Sequence, residues 1–228
     1  MHCIIHIYTS TTYAKLLFMT TILQTTAKKR LTREESQALT RERLIDAAHT
    51  LFIVNGYGAA SIRDIADKAG FSQGAFYSNF SSKEDILLIL LRRHMQAEAM
   101  QLSGLMDNDE RTPECVLEDI AAWAATLNQD TDWCMLSIEL QLHANRSPAF
   151  AILYQQMWDE HRAVISHIIE QLFNKLGRLP PADPTELAAS FMALAHGLAL
   201  QRVSTQSALS GRMIMVFLRG LIASAKQM

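Results

Sequence analysis

Two places in the sequence put a carboxylate and an imidazole within reach of each other. Glu139 and His143 are spaced i, i+4, which on a helix sets both on one face, and Asp159-Glu-His161 clusters acid with imidazole. Such pairs ligate metal in helical bundles when a facing helix contributes a second pair. No second ligand pair supports either place, so a metal-binding helical-bundle enzyme stands only as the alternative reading. Both places are better explained as solvated or mutually paired polar residues. Other catalytic signatures are missing from the sequence: there is no His-Glu-x-x-His, no phosphate-binding glycine loop and no Gly-x-Ser-x-Gly. Cys3, Cys115 and Cys134 are odd in number and lack Cys-x-x-Cys spacing. They suit neither a disulfide framework nor a thiolate zinc site, and a reduced cytoplasmic compartment is expected. No catalytic residue, cofactor or metal is therefore assigned, and the chain is read as not an enzyme.

The other chemistry available is that of binding. Lys and Arg number 21 against 23 Asp and Glu, a net charge of −2, but the charge is uneven. Residues 28–100 carry a net +2 and residues 101–228 a net −5, with Lys28, Lys29, Arg30, Arg33, Arg41 and Arg43 facing only Glu34, Glu35 and Glu42. A basic leader on an acidic remainder fits one end that faces DNA and one that faces other things. Within the basic part lies Ser72, whose hydroxyl is of the type that hydrogen-bonds phosphate.

Helices must carry those residues, because few runs alternate apolar and polar over more than four positions. Thr32-Arg-Glu-Glu35 is a capping box that opens a first helix. Leu44, Ala47, Ala48, Leu51 and Phe52 then line one face, and Asn55-Gly56 stops it. Ser61-Ile-Arg-Asp64 opens a second, short helix with Ile62, Ile65, Ala66 and Ala69 inward, ended by Gly70. Ser72 caps a third from Gln73 to about Asn79, and Ser81-Ser-Lys-Glu84 starts a long fourth helix reaching to near Gly104. Asp107 to Pro113 is a polar break. Five further helices are expected at about 114–128, 131–144, 147–176, 184–205 and 209–227, with Pro148 and Pro184 in first turns.

Two short helices about a glycine turn on a supporting helix are either a generic αα-hairpin or a helix-turn-helix unit, in which the second helix enters a major groove. Ser72 and the first amides of that helix are placed to bind a phosphate. The wording of the segment decides between them. Leu44-Ile-Asp-Ala-Ala-His-Thr-Leu-Phe52, Asn55-Gly-Tyr-Gly58, Ser61-Ile-Arg-Asp-Ile-Ala66, Ala69-Gly-Phe-Ser72, Gly74-Ala-Phe-Tyr77, Phe80 and Ser82-Lys-Glu84 closely resemble the TetR family of bacterial regulators. The family more often has His or Tyr at the position of Asn79.

The resemblance implies an all-α protein of about nine helices. Residues 30–82 would form a three-helix DNA-binding domain and residues 83–228 a ligand-binding and dimerisation domain. It implies phosphate contacts from Ser72, Tyr77 and Lys83, and a groove-facing surface of Gln73, Gly74, Ala75, Ser78 and Asn79, with Arg63 in reach of backbone or base. Lys28, Lys29 and Arg30 resemble the basic arm that some members lay in the minor groove. Partners would be double-stranded DNA with a palindromic operator, a second copy of the chain, and a small-molecule effector that releases a repressor from its operator. Ala188, Ala189, Ala193, Ala195, Gly197 and Ala199, with Met213, Met215, Phe217 and Leu218, suit the dimer helices. Trp123, Trp133, Met135, His143, Tyr154, Trp158 and Met192 are the effector-binding candidates. Residues 1–29 are read as a disordered or extraneous N-terminal extension, with translation expected to begin at or near Met19 and residues 1–18 without structural role, and no apolar run is long enough to span a membrane.

Overall fold

The computed structural model describes residues 32–106, 112–126, 131–205 and 212–228. Met19, the basic cluster Lys28 to Arg30, Cys3 and most of the Asp107–Pro113 break lie outside the described residues. Among those described are nine helices and one isolated antiparallel bridge, Arg178 to Gln227. None of the helices is long and apolar enough to cross a membrane.

The chain divides into two compact units, 1–39 and 40–228. Of the first, the described part is the start of α1 (Arg33–Asn55). The capping box forms there: Glu35 N–H donates to Thr32 Oγ1 at 3.1 Å, and Thr32 N–H to Glu35 Oε2 at 2.8 Å.

In the second unit α1 continues and is followed by α2 (Ile62–Ala69), α3 (Gln73–Tyr77) and α4 (Lys83–Met106). The Ser61–Asp64 capping box closes in both directions. Its hydrogen bonds from Ser61 hold the Asp64 carboxyl below the usual aspartate range. Gly70 ends α2 at φ +77°, where its N–H reaches the Ala66 and Asp67 carbonyls, a left-handed conformation that costs glycine no Cβ clash. The remaining helices are α5 (Pro113–Thr126), α6 (Thr131–Arg146), α7 (Pro148–Lys175), α8 (Pro184–Thr205) and α9 (Arg212–Ser224).

Two cores organise this unit. Leu44, Ile45, Phe52, Ile65, Phe76 and Phe80 from α1–α3 and the turn after them pack with Ile86, Leu87 and Leu91 of α4, and also with Leu136, Leu140, Phe150 and Met157 of α6 and α7. The second core joins the far end of α4 to α5, α7, α8 and α9 through Met106, Val116, Ile168, Leu172, Ala188 and Ile214. Helix α4 thus belongs to both. The C-terminus is tied down by Arg178, whose Nη1 donates to the carbonyls of Ile222 at 3.0 Å and Ala225 at 3.1 Å.

Candidate nucleic-acid interface and ligand cavity

Helix α3 is five residues long and has two faces of opposite character. Phe76 is fully buried and Phe80 nearly so, the pair with ring centroids 5.5 Å apart, which roots the helix in the first core. On the other face Gln73, Gly74 and Ser78 are exposed, and Tyr77 is 58 % exposed. Ser72 caps the helix by accepting from Ala75 N–H at 3.2 Å, leaving its own hydroxyl proton to donate outward. Arg63 sits exposed on α2, in a long 3.7 Å pair with Asp67. Ala75 is half-buried.

Two residues behave differently from what the sequence suggests. The helix ends at Tyr77 rather than Asn79, because Ser78 Oγ donates back to the Gly74 carbonyl at 2.8 Å and Asn79 Nδ2 to the Ala75 carbonyl at 2.8 Å. The Asn79 amide is therefore already engaged, and its own carbonyl accepts from Arg41 Nη1 at 2.6 Å. Arg41 also lies 4.2 Å over the Phe80 ring and pins the end of α3 to α1, a role no local motif announces.

Lys83, expected at a phosphate, turns inward. Its ammonium donates to the carbonyls of Tyr57 at 2.7 Å and Ala60 at 2.9 Å and lies 4.3 Å over the Tyr57 ring. Burial lowers its pKa, against the opposing pull of Glu139 and Glu84. The physical reason is local: the turn from Gly56 to Ala60 leaves two carbonyls without helical donors, and a cation at the start of α4 satisfies both.

The same turn meets α6. Glu139 Oε1 lies so close to Gly56 that a Cβ there would stand 3.0 Å away. His143 pairs with Glu84 of α4 and packs against the rings of Tyr57 and Phe150. The i, i+4 pair Glu139–His143 therefore ties α6 to the turn and to α4. Likewise Asp159 pairs with Arg162 and His161 with Glu98, and among the described residues no three His, Cys, Asp or Glu side chains stand together as a metal-ligand group.

Between α4, α6, α7 and α8 lies a partly open cavity of about 70 Å³. Helix α4 contributes His94, Met95 and Glu98; α6 contributes Trp133, Cys134 and Ser137; α7 contributes Trp158, His161 and Ile165; and α8 adds Phe191, Met192 and His196. His94 stacks on Trp133 with centroids 3.7 Å apart. Buried His161 Nε2 meets Glu98 Oε2 at 3.0 Å. His196 Nε2 is buried without a hydrogen-bond partner, and burial lowers the pKa of this imidazole although Glu98 pulls it up. The Trp158 indole N–H is likewise buried and falls short of hydrogen-bond geometry with its neighbours. A second, open hollow of about 330 Å³, lined by Gln141, Tyr154, Arg162, Ala189 and Ala193, shares Trp158, Met192 and His196 with the first.

Of the seven effector candidates, Trp133, Trp158 and Met192 line the cavity and Tyr154 its neighbour. Trp123 does not: it is buried in the second core, its Nε1 bonded to Gln101 and its ring beside Phe191. Met135 points away and is 43 % exposed, and His143 is held by Glu84. His94, Glu98, His161, Phe191 and His196 are cavity residues that were not picked from the sequence as a ligand set.

Comparison with known proteins covers most of the chain. Residues 44–90 match the family model for bacterial regulatory proteins of the tetR family, and residues 113–223 that for the C-terminal domain of BetI-type transcriptional repressors. The HTH-type transcriptional repressor AcnR of Corynebacterium diphtheriae is 25 % identical over 160 residues, covering 68 % of this chain and 76 % of the relative. The HTH-type regulator YwcC of Bacillus subtilis is 39 % identical over 90 residues, which cover 39 % of this chain and 40 % of the relative. Among solved structures, a transcriptional regulator from Saccharomonospora viridis in complex with choline is 25 % identical with a TM-score of 0.63, covering 83 % of this chain and all of that one. The fatty acid degradation regulator FadR of Bacillus halodurans has the same fold at 16 % identity, TM-score 0.64, covering 85 % of this chain and 96 % of that one.

Proposed function

The chain belongs to the TetR family of bacterial DNA-binding transcription regulators, and from that premise we propose that it is a homodimeric repressor released from a palindromic operator by a small molecule. Residues 30–82 form the DNA-binding domain of this reading, and residues 83–228 the ligand-binding and dimerisation domain. The observation that carries it is the two-faced α3: Phe76 and Phe80 anchor the helix while Gln73, Gly74, Tyr77 and Ser78 stand in solvent. A helix rooted on one side and open on the other fits a major groove. Gln73 and Ala75 are assigned to base edges, Ser72, Tyr77 and Ser78 to phosphates or base edges, and Arg63 to the backbone beside them. Asn79 and Lys83 leave the contact surface and hold it in shape instead. Relatives named as repressors support the direction of control.

The dimer rests on an apolar surface. Ala189, Ala193 and Gly197 of α8 and Met213 and Val216 of α9 are exposed, whereas Ala188, Met215 and Leu218 are spent on the second core. Small side chains on one helix beside larger apolar ones on the next suit a close four-helix contact with a second copy. The cavity between α4 and α8 is the place assigned to the effector, and α6 is the element by which it reaches the DNA-binding turn: its first half lines the cavity while Glu139 and His143 touch the turn and α4. The reading is tested by selecting genomic DNA fragments with the purified chain and screening small molecules that release them. A selected palindrome and a releasing compound are expected; binding without sequence preference would overturn the regulator reading.

A further inference from the structure

From the exposed face of α7 we infer that two copies of the chain associate through it about a two-fold axis, in a contact separate from the surface of α8 and α9. The face is one stripe. Ala149, Ile152, Leu153, Gln156, Glu160, Ala163, Val164 and His167 are all exposed. At 3.6 residues per turn they fall within about 120° of the helix circumference. Ile152 is 61 % exposed, Leu153 48 % and Val164 41 %. The opposite side of α7 carries the buried Phe150, Met157, His161, Ile165 and Leu172.

The order of residues along the stripe says what covers it. A second α7 laid antiparallel on the first, with the two-fold axis level with Trp158, sets Ile152 on Val164 of the second copy and Leu153 on Ala163. It also sets Gln156 on Glu160 and Ala149 on His167, and every contact occurs twice. Large apolar side chains then meet apolar ones, the alanines let the helices approach, and the one amide donates to the one carboxylate. Those two polar residues lie next to the axis, and neither has a side-chain hydrogen bond or ion pair among the described residues. The neighbouring acid, Asp159, is by contrast taken by Arg162. A lipid surface or an unrelated helix would call for apolar area, not for an order that reads alike from both ends.

Size sets the strength. The stripe is about 27 Å long and about 10 Å wide, and so covers roughly 300 Å² per copy. A standard interface takes about 800 Å² per partner, which makes this contact weak and dependent on concentration. Two dimers held on neighbouring operators would meet at a high effective concentration, so the contact suits cooperative occupation of DNA. That use rests on the regulator reading; the contact itself does not.

The experiment is therefore sedimentation of the full chain without DNA, from about 1 to about 200 μM. An assembly twice the size of the dimer should grow in over the upper part of that range. Gln156→Lys sets an ammonium on Glu160 of the second copy, twice over, and should tighten the assembly about fivefold. Gln156→Glu sets carboxylate on carboxylate and should weaken it by about as much. Ile152→Asp should abolish it. Both positions are exposed, and circular dichroism checks that each variant keeps its helices. In a chain that also carries Val216→Glu, the same variants should shift a monomer–dimer equilibrium in the same order. Response to the α7 variants with none to Val216→Glu sinks the α8–α9 dimer alone. No such assembly in either wild type or Gln156→Lys overturns the inference and leaves the face to another occupant. Lys and Glu shifts of the same sign, or an assembly indifferent to Ile152→Asp, overturn it as well.

Discussion

Lys83→Ala separates two roles for one side chain. In the structure the ammonium makes two short hydrogen bonds, 2.7 Å to the Tyr57 carbonyl and 2.9 Å to the Ala60 carbonyl, and lies over the Tyr57 ring. Hydrogen bonds from a charged donor are worth about 1.5–3 kcal/mol each, and a cation over a ring adds about 0.5–1. These terms are not additive, and desolvation of the ammonium, visible in its lowered pKa, offsets part of them. A net loss of about 2–3 kcal/mol is expected, which for a chain of this size lowers Tm by about 4–12 °C. The assay pairs thermal unfolding followed by circular dichroism with operator affinity measured across salt concentrations. A clamp predicts the fall in Tm and a salt slope unchanged from wild type. A direct phosphate contact predicts the opposite pattern, an unchanged Tm and a slope reduced by about one. That second pattern would refute the reasoning.

The other predictions address the anchor, the cap and the interface. Phe76→Ala empties a fully buried site and should cost about 3–5 kcal/mol, with operator binding lost in proportion to unfolding in a urea titration; a cost under about 1 kcal/mol would mean that α3 is not rooted there. Asp85 caps α4: burial pushes its pKa up, but hydrogen bonds from Ser81 and Ser82 outweigh this and hold it below 3.8. A depressed folded-state pKa contributes stability above the ordinary value that is lost as pH falls through the folded one, so Asp85→Asn should destabilise by about 1 kcal/mol at pH 7 and hardly at all near pH 2. A gap equally large at both pH values would contradict it. Val216 is 54 % exposed in the single chain, so Val216→Glu should leave helicity intact and shift sedimentation from dimer to monomer; an unchanged dimer would move the interface off α9.

Much of the DNA-binding end was legible because its signals are local. Ser61, Asp64, Gly70 and Ser72 are capping residues whose partners lie within a few positions, and the structure closes each bond the spacing implied. Where α3 stops was less legible, since Ser78 and Asn79 turn their side chains back onto the Gly74 and Ala75 carbonyls instead of extending the helix. The inward turn of Lys83 and the pinning by Arg41 depend on carbonyls 23 to 38 positions away, which no periodicity reveals. The cavity was half legible for the same reason. Aromatic type drew attention to Trp133 and Trp158, but it drew equal attention to Trp123, whose side of α5 faces a core instead. A usable signal existed in His94 with Glu98, Trp158 with His161, and Met192 with His196. Each pair is spaced three or four positions apart on one helix, so its members share a face.

The central claim is that α3 reads DNA in a dyad-related pair. Its most direct test is selection of binding sites from random duplexes by the wild-type chain, repeated with Gln73→Ala and Tyr77→Ala. The account predicts a palindrome with half-sites about one helical turn apart, or a multiple of it. Gln73→Ala should relax preference at a single symmetric base pair, at a cost of about 1–3 kcal/mol, and Tyr77→Ala should weaken all sequences alike. A selected site without dyad symmetry, or one bound equally well by both variants, would contradict it.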